Sequence, residues 1–465
     1  MTERLGKATL AAFSGPCLPI QALGLPVVVY LPAFYASTVG IDLSTVGLIF
    51  MLVRLVDIAV DPVLGAAIDR TRSRYGRFRP WLVGGVPLLM LTVYLAFNPP
   101  PGSGALYLFV CMLALQVTFS VCHIAHMSWA AVLSADYHQR SRVYGWWQSS
   151  NTMGMILVLL LPSIVASQGG SHADGVRAMG WFVLLLLPIT VGIAVFRVSE
   201  PATDKANHAS WLSGVKLLGR RNVRQLLAAD LALGLAAGMA GAVLLFFFRD
   251  TKGFAAADTG IFLLFYFVAG LIGAVAWTKV AFRFGKHRAL AAAGVFYAVG
   301  QAALLLIPPG DRVIAILIYL LPGFAFTAFA FLLRAIMADV GDEERMESGQ
   351  EKTGLLYSLV TAVSKLGYAL SVGITFIALD LVGFVPEVGA ANTPQALWGV
   401  QFLYVGTPVI LGLLGAALIW RFPLDVRRHG EIRDRLEAAA ATAQATYEEP
   451  VAPTPGAAAA GAERA

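Results

Sequence analysis

Two aspartates, Asp57 and Asp61, stand four residues apart in "RLVDIAVDP" (54–62), inside an apolar run from Thr45 to Ile68. The run is long enough to cross a bilayer as a helix. A spacing of four places both carboxylates on one helix face, with Arg54 one turn before Asp57. An ionised aspartate at this depth costs roughly 2.5–3.5 kcal/mol on insertion scales. Neighbouring carboxylates also repel, so a cation, a proton or a basic side chain must neutralise them. Such a pair titrates as a unit. That is the chemistry of a coupling-ion site, neutral when occupied and charged when empty. A permanent ion-paired helix contact would use the same residues, with Arg54 or another base as neutraliser.

Lys365, in "YSLVTAVSKLGYAL" (357–370), is the other deep charge. It lies too far from its span end to snorkel, and it requires an acidic partner. Asp57 or Asp61 is the natural one. Asp230 sits nearer a span end and reads as structural, and Lys279 can reach the headgroups. His123 and His126 stand three apart in "SVCHIAHMSW" (120–129) and can face one cavity. They suit proton carriage, an incomplete metal pair, or hydrogen-bonded interior histidines. Trp129, Trp146 and Trp147 offer faces for a sugar ring or for packing, and Gln148 and Asn151 can hydrogen-bond hydroxyls. Cys17, Cys111 and Cys122 all fall in apolar segments and read as small core residues.

These residues need membrane helices to hold them. Of 465 residues, 58% are apolar and 13% charged, against about 25% charged in a soluble domain. Helices are the spanning form that satisfies its own backbone in lipid. Apolar runs predict twelve spans, near 17–36, 44–68, 80–98, 105–134, 143–166, 178–197, 223–248, 258–282, 289–308, 312–336, 353–380 and 398–421. Loops alternate in charge: "DRTRSRYGRFRP", "HQRSR", "KLLGRRNVR", "RFGKHR" and "RFPLDVRRHG" are basic, whereas "NPPPGSG" carries none. The net charge of +6 therefore reports topology rather than nucleic-acid binding, with both termini cytoplasmic.

The long connection 198–222 divides the chain into a six-helix half at 1–197 and another at 223–421, followed by a cytoplasmic tail at 422–465 with a disordered end. Short basic glycine-containing loops after spans two and eight echo each other, as two similar halves with a midplane site would show. Pro16, Pro19, Pro26 and Pro32 bend or break span one. Met1 to Gly15 lacks the pattern of a cleavable signal peptide, so the first span serves as its own insertion signal. No HExxH, GxSxG or P-loop pattern points to an enzyme.

"RLVDIAVDPVLGAAIDRTRSRYGRFRPW" resembles the span-two signature of the glycoside–pentoside–hexuronide:cation symporters, a branch of the major facilitator superfamily. "LSADYHQRSRVYGWW" and "ADVGDEERMESGQEKTGLLYSLVTAVSKLG" are similar to its stretches between spans four and five and between spans ten and eleven. The resemblance covers roughly residues 4–425. It implies the major facilitator fold, an all-α membrane protein of two pseudo-symmetric halves working by alternating access. It implies a cation site at Asp57 and Asp61 supported by Ser120, with Arg54 and Lys365 as charge partners.

The departures concern the solute. The amide that galactoside-carrying members have before the second aspartate is Val60 here, which favours protons over sodium. Their sugar-holding acids in spans one and four are replaced by Gln21 and His123, their span-five arginine by Gln148, and Trp129 lies about two residues from their tryptophan. Gln21, His123, Trp129, Gln148 and Asn151 are thus the expected solute residues. The expected function is proton- or sodium-coupled symport of a sugar or glycoside across a bacterial-type inner membrane. A lysolipid or other amphiphile is the alternative cargo. No cofactor, no enzyme activity and no metal beyond sodium at Asp57 and Asp61 are expected. The expected partners are the solute, the cation and the bilayer, with no nucleic acid; a monomer suffices, although the sequence does not set the oligomeric state.

Overall fold

The computed structural model describes residues 6–133, 137–200, 217–348, 353–424 and most of 427–438. Among them all regular structure is helical, and twelve helices are long and apolar enough to cross a membrane. These are α1 (Lys7–Val39), α2 (Leu43–Ile68), α3 (Arg79–Phe97), α4 (Ala105–Ala130), α5 (Gly145–Ser167), α6 (His172–Arg197), α7 (Arg221–Thr251), α8 (Ala256–Phe284), α9 (Lys286–Leu306), α10 (Arg312–Ser348), α11 (Leu355–Leu381) and α12 (Pro394–Trp420). Much of the expected central loop, and the tail from 439 onward, lie outside the described residues; 427–432 are helical.

Helix α1 starts ten residues before the expected 17. The reason is local: Gly15 and Pro16 both keep right-handed helical angles, so the chain bends there and continues. Proline lacks a donor but tolerates this conformation when its neighbours satisfy the freed carbonyls. Further along, Pro26 opens a π-helical turn, Pro26–Tyr30, Pro32 stands in the α-helical turn Leu31–Phe34 after it, and a second π-helical turn follows at Tyr35–Val39. Helix α10 also outruns its expected end at 336. The charged stretch after it stays helical to Ser348, projecting beyond the apolar part of the span.

Helices α1 and α7 occupy equivalent places in the two halves. Each is 72% buried over its most apolar window, against 28–56% for the other ten. Both also end in a π-helical turn, Phe247–Thr251 in α7. These are the innermost helices, and they set the axis between the halves. One apolar core lies wholly in the second half, around Leu226, Tyr297, Phe329 and Ile336.

The halves meet at the end away from the basic loops. There Gly47 of α2 faces the carbonyls of Val372 and Gly373 and the side chain of Phe376 on α11. Gly260 of α8 lies against the Leu159 carbonyl of α5, and the Ser163 hydroxyl donates to the Ala257 carbonyl at 2.7 Å. Small residues permit this approach, since lipid gives helices no hydrophobic reason to associate. Toward the basic face Val63, Ser358 and Thr361 are exposed, and the apolar core around Leu226 and Ile336 draws on the second half alone, whereas the other core joins both halves, from Phe34 and Phe50 to Phe246 and Phe384. The molecule is closed at one end and open at the other.

A Cβ on Gly47 would sit 2.7 Å from Phe376 Cβ. Gly47→Leu should therefore push the closed end apart. Spin labels on the loops after α1 and α11 should report a longer distance than in the parent chain, whereas an unchanged distance would show that this seam does not hold the halves.

Candidate functional site

Helix α2 carries the acidic face that the sequence exposed, and two other helices complete it. The Asp57 side chain has no exposed surface. Its Oδ1 accepts a 2.7 Å hydrogen bond from the Ser120 hydroxyl of α4. Its Oδ2 accepts from Lys365 Nζ of α11 at 2.9 Å. The same ammonium also binds Asp61 Oδ2. One lysine of the second half thus ties together both carboxylates of the first. The remaining oxygen, Asp61 Oδ1, is buried without a hydrogen-bond partner among the described residues.

Arg54 makes no hydrogen bond or ion pair with a described residue. It lies within electrostatic reach of Asp57, Asp61 and Tyr368, and lines a small hollow with Gln116 and Gly24. The two carboxylates outnumber the lysine by one charge, and Arg54 offsets the remainder from a distance. A short-range pair and a longer-range charge together keep the cluster near neutrality, the condition for tolerating it in a membrane.

The expected solute residues divide into two groups. Gln21 Nε2 and His123 Nδ1 meet at 2.9 Å between α1 and α4. Phe119 stacks on the His123 ring at 5.6 Å, and Trp147 of α5 stands 6.2 Å from it. Gln148 is exposed one residue further on, and Asn151 is buried with its Oδ1 unpaired. Trp129 does not join them. It is fully buried, edge-on to Phe13 at 5.4 Å, and cannot present a face to a solute in this conformation. His126 is likewise consumed by α1, through a 2.8 Å contact with the Phe13 carbonyl and a stacked Phe13 ring. Trp147 is the tryptophan beside the polar cluster; its spacing of four from Asn151 was the available signal.

This arrangement is an oxygen-lined, charge-balanced site bridging two helical halves, beside a polar wall on α1, α4 and α5. A family model described as "MFS/sugar transport protein" matches residues 12–426. The chain belongs to this family. It is 26% identical over 410 residues to the isoprimeverose transporter of Lactiplantibacillus pentosus, covering 84% of this chain and 83% of that protein. It is 22% identical over 385 residues to a putative glycoside/cation symporter of Escherichia coli K12, YagG, covering 81% and 83%. Among solved structures, a point mutant of the nucleoside transporter NupG superposes with a TM-score of 0.69 at 13% identity, covering 89% of this chain and all of that one. At that identity the likeness speaks for the major facilitator fold alone.

Removing Lys365 leaves a buried carboxylate, Asp57, and a partly buried one, Asp61, with only the distant Arg54. Lys365→Ala should lower stability toward the low end of the roughly 3–5 kcal/mol that breaking a buried pair costs, since the lysine is partly exposed. Adding Asp57→Asn to Lys365→Ala should recover much of the loss in thermal unfolding. If the double variant is as unstable as the single one, the charge argument for the cluster fails.

Proposed function

We propose that this protein is a cation-coupled symporter for a small polar solute, a sugar or glycoside, and that Asp57, Asp61 and Ser120 form its coupling-ion site. The observation that carries the reading is the bridge from Lys365 to both aspartates. In the conformation open toward the basic face, an ammonium occupies the place where a coupling cation would be neutralised. A proton or sodium ion arriving at Asp57 and Asp61 replaces that charge and frees Lys365. The halves are then no longer held by this pair, and they can rock about the α1–α7 axis. Solute binding by Gln21, His123, Gln148 and Asn151, with Trp147 beside them, favours the same change, so cation and solute raise each other's affinity.

The family and the relatives' descriptions support sugar as cargo and a cation as partner. The polar Gln21–His123 contact suits hydroxyls better than an acyl chain. In this reading the basic loops face the cytoplasm of a bacterial-type inner membrane, and both termini lie inside.

The test is solute-evoked proton movement in everted membrane vesicles, with and without sodium. The panel contains isoprimeverose, other glycosides, pentosides, hexuronates and lysolipids. A sugar should give the signal, and Asp57→Asn and Asp61→Asn should each abolish concentrative uptake. Accumulation that survives both substitutions sinks the ion site. Transport of lysolipids alone replaces the sugar reading.

A further inference from the structure

A hollow of about 130 Å³ lies in the second half between α7, α10 and α11. It is roughly ten times the ~10–15 Å³ that holds one water. Asp230 of α7, Arg334 of α10, and Ser364 and Tyr368 of α11 supply its polar wall, and Phe326 and Phe329 its apolar one. Asp230, expected to be structural, is only 7% exposed. Its Oδ2 accepts a 2.9 Å hydrogen bond from the Ser364 hydroxyl. Its Oδ1 accepts none from a described residue, and no described cationic side chain pairs with it within 4.0 Å. Arg334 turns elsewhere, donating to the Ala330 carbonyl at 3.0 Å. The hollow is roomy enough for water to serve Asp230 Oδ1, and a ligand hydroxyl can take that water's place.

Two placements connect this hollow to the transport site. Ser364 immediately precedes Lys365, and Tyr368 lies within electrostatic reach of both Asp230 and Arg54. The hollow therefore adjoins the cation cluster from the opposite half. Its helices are also the repeat counterparts of the first polar wall: α7 answers α1, α10 answers α4, and α11 answers α5. Gln21, His123 and Trp147 stand on one set, and Asp230, Arg334 and Tyr368 on the other.

The chemistry narrows the ligand. Arg334 disfavours a cationic group and Asp230 a carboxylate, and the two lie within electrostatic reach of each other without a direct pair, so a ligand carrying a net charge of either sign meets a like charge. A neutral ring can donate hydroxyls to Asp230, accept from Arg334 and lay its apolar face on the aromatic side chains. We propose that this hollow is the second-half subsite for the solute and that it takes the hydroxyl-bearing ring of a neutral glycoside, with Asp230 as acceptor. The inference rests on the symporter reading above and narrows it against hexuronates.

Equilibrium exchange of labelled isoprimeverose in proteoliposomes, competed by xylose, lactose or glucuronate, tests it. Exchange needs no ion gradient, so a defect at Asp57 does not mask the result. The neutral sugars should compete and glucuronate should not. Asp230→Asn should raise the half-saturation concentration at least tenfold with an unchanged melting temperature, and Asp230→Glu should recover part of it. Should Asp230→Asn fail to insert, Ser364→Ala decides: a shift of about threefold or more is expected, and no shift overturns the subsite. Unchanged half-saturation in folded Asp230→Asn overturns the subsite and leaves the symporter standing. Competition by glucuronate equal to that of the neutral sugars overturns the neutral assignment. Failure of the inserted parent protein to exchange any neutral glycoside overturns this inference; proton-coupled uptake of glucuronate by that same protein would keep the symporter reading.

Discussion

Neutralising two carboxylates inside a membrane is the constraint on which this structure depends. The neutraliser, Lys365, comes from the other half of the molecule. The halves must therefore approach closely where the charges meet, and glycines rather than bulky residues form the adjoining seams. Magnitudes suit a switch better than a lock. Two unit charges 4 Å apart interact by about 4 kcal/mol at an effective dielectric constant of 20. Turning a two-state equilibrium from 1:99 to 99:1 takes about 5.5 kcal/mol. An interaction of this size biases one conformation strongly, and an entering cation can undo it.

The repeat architecture explains why the polar side chains fall where they do. Helices α1 and α7 are the most enclosed in their halves, so their inward faces border the space between the halves rather than lipid. Polar groups on these helices and on their neighbours α4, α5, α10 and α11 can be wet without touching hydrocarbon. The first half spends its polar wall on amide and imidazole, with Gln21 and His123 in direct contact. The second half places a carboxylate and a guanidinium around one hollow without pairing them.

The charged cluster is legible because charge within an apolar run is conspicuous, and because a spacing of four fixes a shared helix face. The candidate partner was legible as a type: Lys365 had to find an acid. Its contact with both aspartates was not, since local periodicity carries no information across 304 residues. The resemblance places Trp129 at the solute site; what covers it is not legible, because Phe13 lies before the expected start of α1 at 17. The helix Lys7–Ser14 supplies that cover, and Trp129 becomes core. Asp230 is legible only in part. Its depth is visible in the sequence, but the failure of Arg334 to pair with it appears only when α7, α10 and α11 are packed.

Coupling between solute and cation needs one element that both sites bias. Helix α11 has the required form. At 3.6 residues per turn, consecutive side chains point about 100° apart. Ser364 bonds to Asp230 within its own half, whereas Lys365 reaches across to Asp57 and Asp61 on α2. A ligand drawing on Asp230 acts on one face of that turn, and a cation displacing the lysine acts on the next. Ser364 and Lys365 are consecutive on one helix, so a backbone movement of that turn carries both. The two proposed sites thus share one helical turn, with no long relay between them.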